Sequence, residues 1–412
     1  MEPDPQRNNR QPGDSRKQKR ARIAFVVQRY GMEIAGGSEQ LCRALAEHLN
    51  NRGECEVLTT CASDYMTWQN VLPPGVSDCN GVRVRRFPVD QPRNIAKFNE
   101  FSSRVLGGPV SREDEEQWMR MQGPCSSALL EYLRAEKSGY DAFVFFTYLY
   151  ATTYFGLPLV KEKAVMVPTA HDEPPVYLSI FDSLFQKAGR LLFLTPEEQE
   201  FVYRRFALPA DRGEVVGVGI QDLAPPEELP DALRSRIAGQ PYVLYLGRVD
   251  PSKGCGVLVD YFQRFRQRNP SSRLRLVLAG KAAMKIAEDE NIVATGYLTE
   301  GAKTRCIDDA LCMVTPSPYE SLCLAALEAW ARGKPVLANA ECRVLVGQCR
   351  RSGGGLWYGT YPEFEECLRT LVGNASLRGR MGASGADFVA RSYAWEHSGE
   401  HYWRNIKSVA GE

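Results

Sequence analysis

A chain of 412 residues is too long for one ordinary hydrophobic core and implies two domains. Its 25% charged and 44% hydrophobic residues are the composition of a soluble globular protein, and 51 Lys+Arg against 50 Asp+Glu leave a formal charge of +1, with no basic footprint for nucleic acid. Twelve cysteines run from Cys42 to Cys367 without a C-x-x-C pair or a zinc-type Cys/His cluster, which reads as reduced thiols in a cytoplasmic protein, and no run of about 18 apolar residues exists to span a membrane.

Residues 1–20 contain no apolar segment and read as a disordered tail whose basic end, Arg16 to Arg20, fits either a solvated tail or peripheral contact with an anionic inner-membrane surface. From Arg22, short apolar runs alternate with helical patterns. RIAFVV (22–27), CEVLTT (55–60), VRVRRFPV (82–89), DAFVFF (141–146), KAVMVP (163–168), RLLFLT (190–195) and GEVVGV (213–218) are predicted strands. SEQLCRALAEHL (38–49) is an amphipathic helix, and the polar segment of about 90–136 reads as a helical insertion into an N-terminal domain of 21–222. TPEE (195–198) announces a helix, with Thr195 as N-cap, Pro196 first and Glu198 closing a capping box. The Pro-rich stretch 223–240 is a linker.

Alternation then restarts with YVLYLG (242–247), RLRLVLAG (273–280), NIVATG (291–296), LCMVTP (311–316), KPVLAN (334–339) and GGLWYG (354–359), giving a second domain of 241–392 and a last segment of 393–412. Near-continuous apolar strands separated by helices are the mark of a parallel sheet covered on both faces, so the fold class is α/β, two doubly wound domains in series. Ligands of such sheets bind beyond the carboxyl ends of the strands, which turns attention to the loops there.

In YLGRVDPSKGCG, Gly247, Arg248 and Lys253 stand between a strand and a helix N-terminus, where two cations hold a diphosphate as naturally as they decorate a solvated loop. PSPYESLCLAALEAW carries Glu320 and Glu328 eight residues apart, roughly 12 Å along a helix, a span that suits two parts of one extended ligand better than a carboxylate pair acting on one atom. Helix capping by Glu320 and pairing of Glu328 with a core arginine explain them equally well. The loop 28–41 has Gly36 and Gly37, which permit close backbone approach, with Ser38 able to cap the next helix; an ordinary turn is the alternative. VPTAHDEPP puts His171 and Asp172 after a buried strand, and FTYLYATTYFG puts Tyr148 and Tyr150 at another, as candidate contacts for an acceptor or as core.

These motifs in this order resemble the GT-B glycosyltransferases, specifically the retaining, nucleotide-sugar-dependent family 4. The resemblance implies two Rossmann-like domains facing a cleft, with the final helix after YAWE (393–396) crossing back to the first domain. It implies transfer of a hexose from a nucleoside diphosphate sugar, UDP- or GDP-linked, to a hydroxyl acceptor such as a glycan, glycolipid or cell-envelope polysaccharide precursor. In that scheme Arg248 and Lys253 neutralise the diphosphate, Glu320 stands near the donor sugar and Glu328 accepts from the ribose hydroxyls. Gly36 and Gly37 line the phosphate and acceptor region, and His171 stands at the reacting centre. No D-x-D sequence is present, so no metal or other cofactor is expected. Where the family has glycine after the first glutamate and again two residues on, this chain has Ser321 and Cys323 around Leu322, and the segment after KPVLAN reads AECRVLVGQCRRSGGG in place of a Gly-Gly turn. An epimerase on the same fold, or a non-catalytic nucleotide-sugar binder, remains the alternative.

Overall fold

The computed structural model describes residues 20–411 except 35, 221, 238 and 287. The expected tail therefore lies outside the described residues apart from Arg20, whose guanidinium donates to the carbonyls of Asn50 and Gly53, both at 2.6 Å.

Eight strands form the first sheet: β1 (Arg22–Val26), β2 (Glu54–Thr60), β3 (Gly75–Cys79), β4 (Val82–Phe87), β5 (Ala142–Phe146), β6 (Ala164–Val167), β7 (Arg190–Phe193) and β8 (Gly213–Val215), in the order β3-β4-β2-β1-β5-β6-β7-β8. All pairings are parallel except β3 with β4. The β3 segment, GVSDC, is exposed along its length and escapes a search for apolar runs; it forms because an edge strand needs only one partner. Strands β5 and β6 are buried at every position, as expected of a sheet covered on both faces. Between β4 and β5 lie three helices, Ile95–Leu106, Arg112–Gln122 and Ser127–Glu136.

The second sheet comprises β9 (Tyr242–Leu246), β10 (Arg275–Ala279), β11 (Ile292–Gly296), β12 (Met313–Thr315), β13 (Val336–Asn339) and β14 (Gly355–Tyr358), ordered β11-β10-β9-β12-β13-β14 and wholly parallel. Counted from β9, this is the doubly wound order 3-2-1-4-5-6, whose direction of winding reverses between β9 and β12. The loops after those two strands hold GRVDPSKG and PSPYES. The expected linker is not wholly irregular: Asp231–Ile237 is helical, and Leu233 and Ile237 bury their side chains.

The final helix, Trp395–Ala410, packs against β5, β6 and β7 and against the helix Gly37–Leu49 of the first half. His48 stacks on Trp395 at 4.6 Å, Tyr402 Oη donates to the Gly217 carbonyl at 3.0 Å, and Glu214 gathers His401 (2.6 Å), Arg404 (2.7 Å) and Asn405 (2.8 Å). Among the described residues no helix is long and apolar enough to cross a membrane.

Candidate functional site

Strands β9 and β10 are followed directly by Gly247 and Gly280, both at φ 143°, a conformation that favours glycine. A Cβ on Gly280 would lie 2.0 Å from the Gly247 carbonyl oxygen, so the two strand ends meet backbone to backbone. Beyond them Asp250 caps a single 3-10 turn, Pro251–Lys253, by accepting from Ser252 N at 2.8 Å, and also accepts from Arg248 Nε at 3.0 Å. The Arg248 guanidinium lies 4.5 Å from the ring centroid of Tyr65, a residue of the first half, so this cation spans the space between the sheets. Gly254 closes the turn at φ 74°, where a Cβ would stand 2.3 Å from the Pro316 carbonyl oxygen. That contact brings the two loops together, and Lys253 Nζ donates to Glu320 Oε1 at 2.7 Å. Burial works against the Lys253 ammonium, but Glu320 outweighs it and holds the pKa above the usual lysine value.

The segment after β12 departs from expectation. The sequence predicts a helix start around Glu320 to Leu322; the helix begins at Leu324 and runs to Ala331, so Glu320 stands in the preceding loop and the helical 12 Å spacing does not apply. The two carboxylates instead have separate cations: Glu320 has Lys253, and Glu328 accepts from Lys303 Nζ at 2.8 Å. Proline 316 is held by Asn339 Nδ2 at 2.9 Å, Leu322 is buried, and the Ser321 carbonyl accepts from Thr195 Oγ1 of the first half at 3.1 Å. Cys323 has φ 68° and ψ 80°, left-handed backbone on a residue with a Cβ, at a position where the resemblance leads to glycine. The glycine conformation is thus kept without the glycine.

On the facing side, Gly36 is the N-cap of Gly37–Leu49 with φ −78°, an ordinary conformation, and Ser38 does not cap: it lies inside the helix and donates to Glu39 Oε2 at 2.9 Å. A Cβ at 36 would fall 2.1 Å from Glu39 Oε2, so the Glu39 carboxylate would have to shift, while Gly37 has nothing within 4 Å of the equivalent position. His171 Nδ1 lies 3.3 Å from the Glu173 carboxylate, and its ring stacks on Tyr319, the neighbour of Glu320, at 5.8 Å and 19°. Glu198 bridges the ends of β6 and β7 by accepting from Ala170 N and Leu194 N, each at 2.7 Å, and so holds the residue just before His171; burial pushes its carboxyl up to about 8.

One expected acceptor contact is corrected. Tyr148 is wholly buried between Phe181 and Phe185, its hydroxyl donating to Glu173 at 3.0 Å, and so has no surface to offer a substrate. Asp172 is exposed and accepts from Tyr177 Oη at 2.6 Å. Tyr150 is half-buried, edge-on to Trp68 at 5.5 Å.

A cavity of 650 Å³ separates the two halves, with Gly36 and Tyr65 on one wall and Gly247, Arg248, Lys303 and Glu328 on the other. Lys253, Glu320 and His171 are outside this lining: Lys253 pairs with Glu320, and His171 stacks on Tyr319. Sequence reasoning missed Lys303, Glu173, Tyr65 and Tyr319. Glu173 and Tyr319 had local signals, standing two residues after His171 and next to Glu320; Lys303 and Tyr65 reach the site from unrelated positions along the chain. Among the described residues, no group of three or more His, Cys, Asp or Glu is placed to hold a metal ion.

Residues 240–357 match the family described as Glycosyl transferases group 1. A D-inositol 3-phosphate glycosyltransferase of Nocardia farcinica is 24% identical over 405 residues, covering 90% of this chain and 84% of the relative, and one of Stackebrandtia nassauensis is 24% identical with 95% and 92% covered. Among solved structures, sucrose-phosphate synthase from Thermosynechococcus elongatus superposes with a TM-score of 0.70 at 18% identity, covering 95% of this chain and all of that one. Anabaena HepE in complex with UDP and glucose gives 0.69 at 13% identity, covering 94% of this chain and 100% of that one. Residues 240–357 are therefore a group 1 glycosyl transferase domain within a two-sheet GT-B fold, and the protein is an enzyme of the glycosyltransferase class.

Proposed function

We propose that the protein is a retaining, family 4 hexosyltransferase that moves a hexose from a nucleoside diphosphate sugar to a hydroxyl acceptor of a glycan, glycolipid or cell-envelope precursor, without a metal. The observation that carries this reading is the convergence of Arg248, Lys253, Glu320 and Glu328 on the switch point between β9 and β12, beside a 650 Å³ cavity that faces the other half of the chain. The bound UDP and glucose of Anabaena HepE, and the UDP-2-fluoro glucose bound to a trehalose-6-phosphate enzyme of E. coli, support a nucleotide-sugar donor.

In this reading the donor lies with its nucleoside toward Glu328 and its diphosphate toward Arg248, Lys253 and the free N–H groups at the start of the helix Cys255–Arg268. As the anomeric C–O bond breaks, negative charge gathers on the diphosphate, where fixed cations in a partly dry cleft stabilise it more than water would. The departing phosphate oxygen takes the acceptor proton on the same face, which preserves anomeric configuration. Glu320 holds Lys253 in place and borders the sugar, and His171, flanked by Glu173 and stacked on Tyr319, supports the shift of charge.

The test is a panel of nucleotide sugars, each incubated with the protein and followed by mass spectrometry for diphosphate release, with the product anomer read by proton NMR. One donor is expected to be consumed with retention. An inverted product refutes the retaining mechanism, and conversion of the sugar without release of diphosphate refutes transfer altogether.

A further inference from the structure

Glu328 occupies a helix of sequence LAALEAWA, and its side chain is only 18% exposed. A carboxylate so desolvated stays ionised only beside a cation. Lys303, itself 14% exposed, supplies that cation from the first turn of another helix, Glu300–Asp309, and its ammonium is shared between Glu328 Oε1 at 2.8 Å and Glu300 Oε2 at 2.6 Å. With both carboxylates held, Lys303 is engaged as a bridge and is not a free cation for a diphosphate. It takes one oxygen of Glu328; among the described residues no donor meets Oε2, although Glu328 lines the cavity.

The surroundings leave this assignment to Lys303. The helix Leu324–Ala331 packs against the helix Ala375–Ser392 and against β12 and β13, whose buried side chains are uncharged. Lys303 and Glu300 are therefore the charged groups that face Glu328. The remaining charges of the cavity wall come from elsewhere: Arg248, Asp250 and Lys281 from the ends of β9 and β10, and Arg29, Glu33 and Asp64 from the first half. Burial pushes the Glu328 carboxyl up, Lys303 draws it back, and Glu300 pushes it up again.

We infer that Lys303 is a positioning residue for the donor site: it keeps Glu328 ionised with one oxygen free toward the cavity, ready to accept from the ribose hydroxyls, while Glu300 restrains the lysine. The inference rests on the donor reading above, in which Glu328 meets the ribose.

The experiment is calorimetric titration across pH with UDP or GDP, whichever the wild-type protein binds, and with the 2′-deoxy form of the same diphosphate. At pH 7 wild type is expected to bind the ribo form about tenfold more tightly, the worth of a hydrogen bond to a charged acceptor. In Lys303→Met the contrast weakens and its midpoint moves to higher pH by about one unit or more. Lys303→Arg restores the contrast. Glu300→Gln, which removes a like charge and frees the lysine, extends it to lower pH than in wild type. A Lys303→Met profile that coincides with wild type overturns the inference, and if that variant does not fold, an unshifted Glu300→Gln profile overturns it in the same way. Absence of any ribo/deoxy contrast in wild type overturns instead the assignment of Glu328 to the ribose, and so separates failure of the donor reading from failure of the role of Lys303.

Discussion

Lys253→Ala probes the centre of the donor reading. The substitution removes an ammonium held 2.7 Å from Glu320 Oε1 and leaves that mostly buried carboxylate without its partner. Two effects follow. A unit charge about 4 Å from the diphosphate, at an effective dielectric constant of about 20, is worth about 4 kcal/mol, and loss of one preorganised donor of this kind lowers kcat by roughly 100- to 1000-fold. Separately, the orphaned Glu320 costs about 1–3 kcal/mol of stability, which leaves a chain of this size folded at room temperature. The assay is the initial rate of nucleoside diphosphate release at saturating donor, with circular dichroism to establish that the variant is folded. Lys253→Arg keeps the charge and is expected to recover part of the rate. A folded Lys253→Ala variant within a few-fold of wild type would refute the electrostatic role of this lysine and, with it, the model of leaving-group stabilisation.

Gly254→Ala places a methyl group 2.3 Å from the Pro316 carbonyl oxygen on a residue at φ 74°, so the loops carrying Lys253 and Glu320 should separate, with a cost of about 1–3 kcal/mol and a fall in donor affinity by calorimetry. Gly379→Ala, whose Cβ meets nothing within 4 Å, should lower neither. Equal behaviour of the two would refute the close approach. At the crossing helix, burial raises the Glu214 carboxyl but the bonds from Asn405, Arg404 and His401 outweigh it and hold the pKa down, from 4.5 to about 2. A carboxylate depressed in the folded state contributes stability above its unfolded value, near 4.5, and loses it as pH falls toward 2; the shift corresponds to about 3 kcal/mol. Glu214→Gln should lack that contribution at pH 7 and show a flatter acid limb in urea titrations; an unaltered limb would count against it. Turnover is expected to persist in excess chelator, since Arg248 and Lys253 carry the charge of the diphosphate in this reading, and abolition of activity by chelation would contradict it.

The apolar strand runs and the helix punctuation between them were readable from sequence because burial on both faces of a parallel sheet imposes a continuous hydrophobic signal. The motif loops could be placed at strand ends for the same reason, and the basic pair Arg248 and Lys253 followed from the loop between β9 and a helix. Edge strand β3 was not readable, since GVSDC is exposed and pairs on one side only. Nor was the start of the helix after PSPYES, where Cys323 adopts left-handed backbone and delays it to Leu324. Tyr148 illustrates a further limit: an aromatic residue at a strand end has the same local sequence whether it faces a cleft or, as here, the core.

The sequence by itself determined the fold class, the two sheets and the presence of charged residues at their carboxyl ends, because these depend on local periodicity and on turn chemistry. Which charge meets which was decided only by the tertiary structure. Lys253 finds Glu320 across 67 positions of the chain, and Glu328 finds Lys303 across 25. Arg248 reaches Tyr65 from the other half of the molecule. These pairings follow from strand order and from backbone contacts such as Gly254 against Pro316, which bring together residues that carry no local mark of one another. A carboxylate in an apolar helix states in sequence that it needs a cation; the order of the strands supplies it.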